Sequence, residues 1–96
     1  MQMFQVIIKF KMDEEFMSFI PDHRTYISYL INKGVIDSYA VSMESHMCWI
    51  TLNAESKEEA ANYMEKTPLY KYWSVTIEEL FVFDTQRYRL PALQLN

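Results

Sequence analysis

Between Met3 and Lys11, Phe4, Val6, Ile8 and Phe10 alternate with Gln5, Ile7, Lys9 and Lys11. A period of two puts one set on each face of an extended chain, so this segment predicts a first strand. Asp13 to Ile20 is mixed in character, and Pro21-Asp22 then predicts a helix start, with the Asp22 carboxylate accepting from free first-turn amides. Tyr26, Ile27, Leu30 and Ile31 give that helix an apolar face at spacings of three and four. Gly34, the only glycine, sits where a left-handed residue would end it. From Ile36 the period of two returns, with Tyr39, Val41 and Met43 against Ser38, Ala40, Ser42 and Glu44, a second strand. Glu44-Ser45-His46 turns the chain into a third strand, Met47 to Asn53, in which Cys48, Ile50 and Leu52 oppose Met47, Trp49 and Thr51. Ser56-Lys57-Glu58-Glu59 matches a capping box. The helix it opens continues through Ala60, Ala61, Tyr63 and Met64 and stops at Thr67-Pro68. Val75 and Ile77, then Leu80 to Phe83, predict a fourth strand whose alternation slips at Glu78-Glu79, with Phe81 and Phe83 expected to be buried.

The order βαββαβ predicts a ferredoxin-like α+β domain over residues 1–84, a four-stranded antiparallel sheet with two helices on one face. Residues 85–96 are then a C-terminal tail that docks on the domain or on a partner subunit. Ile7, Tyr39, Val41, Met43, Trp49 and Leu80-Phe81 supply apolar side chains to both sides of the sheet, and two helices cover only one. A homodimer that buries the second face by two-fold symmetry is the expected assembly, with higher oligomers left open.

Composition narrows the partners. Half of the 96 residues are apolar and 23% are charged, which fits one globular domain and disfavours disorder. A net charge of −4 argues against nucleic acid. The segment Met1 to Lys9 does not resemble a signal peptide, no apolar run approaches the ~20 residues of a membrane span, and a single Cys forms no disulfide framework within one chain. A cytoplasmic protein without membrane contact is the expectation. With one glycine the chain has neither a phosphate-cradling loop nor a nucleophile elbow, and no cofactor is expected.

Two segments resemble a known superfamily, the dimeric α/β barrels, and within it the muconolactone isomerase-like and YCII-related proteins. Ser56-Lys57-Glu58-Glu59 opens a helix that closes in Pro68-Leu69-Tyr70-Lys71-Tyr72-Trp73, similar to the Pro-Leu-aromatic-x-Tyr closure of muconolactone isomerases. His23-Arg24-Thr25-Tyr26-Ile27, followed by Leu30 and Gly34, is similar to the His-x-x-Tyr-Leu segment of YCII-related proteins. The resemblance implies a dimeric barrel and a small, acidic, unsaturated substrate handled by proton transfer. It departs at Thr67, where YCII-related proteins often carry an acidic residue that works with the helix histidine.

His23 is the acid/base candidate, because an imidazole titrates near neutrality and a helix N-terminus favours its neutral form. Arg24 or Tyr26 would orient an acidic substrate, and Trp49, Tyr72 and Trp73 would wall a pocket for a planar ligand; the bland alternatives are a half-exposed histidine and ordinary core aromatics. One of Glu78 and Glu79 would acquire a raised pKa if it faced an apolar cavity, against the plainer reading of two solvated carboxylates. His46 reads as a loop residue, and with Glu44 and His23 it lacks metal-ligand spacing, so no metal is expected. Cys48 reads as an inert strand residue and the seven methionines as filler for an irregular interface. Three functions stay open: a cofactor-free isomerase-like enzyme acting on a small acidic or aromatic metabolite, a non-catalytic small-molecule-binding dimer, and a haem- or oxygen-using relative that would need a histidine over a large pocket.

Overall fold

The structure is a computed structural model that describes residues 2–85. Its elements run β1 (Gln2–Phe10), α1 (Ile20–Asn32), β2 (Ile36–Ser42), β3 (Met47–Ala54), α2 (Lys57–Glu65) and β4 (Trp73–Glu79), with short 3-10 turns at Phe16–Phe19 and Tyr70–Tyr72. The sheet order is β2-β3-β1-β4 and every pairing is antiparallel. Each helix therefore links two strands with a third lying between them, which is the interleaved arrangement of the ferredoxin-like fold.

The alternation places Phe4, Val6 and Ile8 of β1 beside Leu52, Ile50 and Cys48 of β3, all under the helices and all at most 2% exposed. Ile27 and Leu30 of α1 and Ala60 and Met64 of α2 close over them. Fully burying one such side chain stabilises the fold by about 1.5–3 kcal/mol. The helix face differs by one step from the expected one, since His23 is buried and Ile31 is exposed. The buried stripe is His23, Ile27 and Leu30, with Tyr26 half-buried beside it.

Helix α1 also starts earlier than Pro21-Asp22. Phe19 caps it without a side-chain bond, Pro21 lies in the first turn, and Asp22 contributes only its charge near the helix N-terminus. The preceding 3-10 turn brings the chain in already coiled, so no carboxylate cap is used. At the other end Gly34 adopts φ 85°, its amide reaches the Ile31 carbonyl, and Val35 N–H donates to Leu30 at 2.9 Å, a Schellman closure. In α2 the Glu59 amide donates to Ser56 Oγ at 3.1 Å, while the Glu59 carboxylate accepts from the Glu55 amide, one residue before the expected one.

The fourth strand is shorter than its apolar run. Among the described residues its last ladder bond joins Leu80 N–H to the Met3 carbonyl, near the start of β1 at Gln2. Phe81 is consequently fully exposed and Phe83 only half-buried, where burial of both was expected. The proposed docking tail, 85–96, lies outside the described residues except for Thr85. The uncovered sheet face is also more polar than expected, because Tyr39 and Val41 register with Ile50 and Cys48 on the helix side. What remains is a transverse row of Ala40, Trp49, Ile7 and Thr76, bordered by Thr51, whose hydroxyl donates to Gln5 Oε1 at 3.2 Å.

Candidate functional site

At one end of the helix-covered face the strands stop filling their own layer. Phe10 ends β1, Cys48 and Trp73 begin β3 and β4, and Tyr39 and Val41 come from β2 at the sheet edge. The 3-10 turn at Phe16–Phe19 and the first residue of α1 close over this end instead of a helix turn. Between them lies a cavity of about 240 Å3 walled by Phe10, Phe16, Ile20, Cys48, Leu69 and Trp73, with Tyr39 and the methionines Met17 and Met43 at its border. Its lining side chains are apolar except for the Tyr39 hydroxyl, the Cys48 thiol and the Trp73 indole N–H.

His23 stands behind this wall. It is 1% exposed, its ring meets the edge of Trp73 at 5.5 Å between centroids, and its Nε2 lies 2.9 Å from the Tyr39 hydroxyl. Burial, helped by the neighbouring Arg24 guanidinium, pushes its pKa down to about 4, so the imidazole is neutral at pH 7. Its Nδ1, like the hydroxyl of Thr67, is buried without a hydrogen-bond partner among the described residues. The Tyr39 phenol, held in the same low-dielectric layer, is pushed up to about 12 by burial, as is the Cys48 thiol. All three groups are uncharged, and the arrangement presents a hydrogen-bonding hydroxyl at the wall of an otherwise oily space.

Of the residues singled out from sequence, Trp73 lines the cavity, and His23 reaches it only through Tyr39 and Trp73. Arg24 is exposed, with its guanidinium 5.6 Å from the Tyr39 ring centre. Tyr26 turns the other way, donating to the Tyr63 carbonyl of α2 at 2.8 Å, and so ties the helices together. Tyr72 borders the outside of this end, where its hydroxyl donates to Asp13 at 2.8 Å and lowers that carboxyl. Trp49 is on the opposite face of the sheet, because odd positions of β3 point away from the helices. Glu78 and Glu79 are both exposed, and His46 sits in the hairpin turn at φ 55° with its ring stacked on Phe10. No group of three metal-ligating side chains occurs among the described residues.

The residues missed from sequence are Tyr39 and Cys48. The hairpin register that pairs Val41 with Cys48 and Tyr39 with Ile50 was the signal, since it puts both on the helix side of the sheet, where Tyr39 meets His23. No described helix is long and apolar enough to cross a membrane.

Comparison with known proteins agrees with the fold. No family model matches the chain, and no curated protein matches its sequence. Among solved structures it is similar to the 5-chloro-2-hydroxyhydroquinone dehydrochlorinase of Burkholderia phenoliruptrix AC1100, in complex with 2,5-dihydroxybenzoquinone. The TM-score is 0.58 at 14% identity, over 88% of this chain and 97% of that one. A likeness at that identity is a likeness of fold.

Proposed function

We propose that this protein binds a small, planar, largely apolar molecule, an aromatic or quinoid ring, in the cavity beneath the start of α1. One observation carries the reading: a space of about 240 Å3 in which, among the described residues, the only side-chain polar groups of the lining are the Tyr39 hydroxyl, the Cys48 thiol and the Trp73 indole. Enclosed apolar cavities of about 150 Å3 take up benzene, so this recess has room for a ring of that kind. An acidic substrate is disfavoured, because Arg24 lies outside the cavity and a carboxylate inside would be desolvated without a cationic partner among the described residues. The quinone complex of the structurally similar dehydrochlorinase supports a ring-shaped ligand for this fold.

Calorimetric titration with 2-naphthol tests the proposal. Saturable binding, lost in Val41→Phe while the circular dichroism spectrum is retained, is the expected result. Val41 borders the cavity from an edge strand and is 45% exposed, so the larger ring fills the space without unfolding the sheet. Wild-type protein that fails to saturate with 2-naphthol overturns the reading.

The second reading is the isomerase-like enzyme of the muconolactone isomerase and YCII-related kind. It is favoured by a neutral imidazole one hydrogen bond behind the cavity wall. His23 would then act through Tyr39, and Arg24, Tyr26, Tyr72 and Trp49 would take no part in binding. Turnover of an unsaturated lactone, abolished in Tyr39→Phe, would select this reading over simple binding.

The assembly we propose is a homodimer formed through the uncovered sheet face. Trp49, 37% exposed, and Ile7 lie side by side at the centre of that face with Ala40 beside them, and no described element packs over them.

A further inference from the structure

We propose that Tyr39 is the specificity-determining residue of this cavity, donating its hydroxyl proton to the carbonyl oxygen of an aryl ketone, enone or quinone, with His23 as the residue that positions it. The inference rests on the binding reading above and names the ligand class within it.

The argument begins with His23 Nδ1, which is buried and has no partner among the described residues. A neutral imidazole carries one N–H and one lone pair. If the proton sat on Nδ1, a donor would be buried with nothing to receive it, whereas a proton on Nε2 is received by the Tyr39 oxygen 2.9 Å away. Leaving only a lone pair unsatisfied is the less costly choice, so Nε2 carries the proton. The ring stays neutral because burial depresses its pKa to about 4.

The Tyr39 oxygen thus accepts from His23. The Arg24 guanidinium lies beside the Tyr39 ring, 5.6 Å from its centre. With His23 on the acceptor side of the oxygen, the hydroxyl proton points elsewhere, and the Cys48 thiol in the same lining is at best a weak acceptor for it. A carbonyl oxygen entering the cavity offers a stronger acceptor in the same place. The phenol remains protonated, its pKa pushed up to about 12, so it acts as a donor at every physiological pH.

Acetophenone and cumene separate this inference from the reading beneath it, since they share a shape and differ in the carbonyl. In wild-type protein both bind; in Tyr39→Phe the affinity for acetophenone falls about fivefold to tenfold while that for cumene is unchanged, the loss expected for one hydrogen bond. The carbonyl stretch of bound acetophenone is shifted to lower frequency in the wild type and in His23→Gln, which keeps a donor. The shift is lost in Tyr39→Phe and reduced in His23→Leu. Equal affinities of wild type and Tyr39→Phe for acetophenone, or a stretch that does not respond to either residue, overturn the inference and leave the cavity reading standing. Failure of both compounds to bind overturns the two together.

Discussion

A neutral imidazole enclosed at position 23 leaves a mark on the pH dependence of stability. Its folded pKa is about 4 against 6.5 in the unfolded chain, so between these values the unfolded state binds more protons than the folded one. Stability is then lost as pH falls from about 6.5 toward 4, with a slope of at most about 1.4 kcal/mol per pH unit from this group. Above pH 7 the group contributes no slope. Melting curves of wild type and His23→Gln across that window check it: the wild type should lose stability faster than the variant on acidification, and parallel curves would show that His23 is hydrated in the folded state. The sequence singles out His23 by its chemistry, but its burial was invisible there. Burial depends on Tyr39 and Trp73, 16 and 50 positions away, closing over it through the sheet.

At the scale of elements, the two helix signals with local chemistry were legible and the termini decided by neighbours were not. Ser56 caps α2 through a bond to the Glu59 amide, and Ser56→Ala should cost about 1 kcal/mol in chemical denaturation. Gly34 has open space where a Cβ would go but holds φ 85°, so Gly34→Ala should cost about 1–2 kcal/mol from backbone strain alone. A loss near zero at both sites would mean that tertiary packing, not capping, fixes the helix ends. The start of α1 was misplaced because it is set by the 3-10 turn of Phe16–Phe19, whose Phe16 packs on Phe10, rather than by a capping side chain. The end of β4 was misplaced for a similar reason: Leu80-Phe81-Val82-Phe83 has strand propensity, yet a strand continues only where a neighbour offers free amides and carbonyls.

For the whole molecule, the alternation in four segments and the periodicity in two were sufficient for the ferredoxin-like architecture, since each apolar set finds its counterpart across the layer. The cavity was only partly legible, because it is what the packing leaves over. It arises where strand ends from four segments and a 3-10 turn meet, and no local pattern records a space. The proposed dimer is checked by light scattering at micromolar concentration. The expected mass is twice that of one chain, reduced to one in Trp49→Glu, which sets a carboxylate at the centre of the uncovered face. A monomeric wild type would show that the Ala40, Trp49 and Ile7 row is simply solvated. The central claim, that the space beneath α1 is a ligand site, is tested most directly by a crystal soaked in 4-bromophenol, in which the bromine is located by its anomalous signal. The account predicts the ring between Phe10, Cys48 and Trp73 with its hydroxyl at Tyr39, whereas an unoccupied cavity with bromine only on the molecular surface would contradict it.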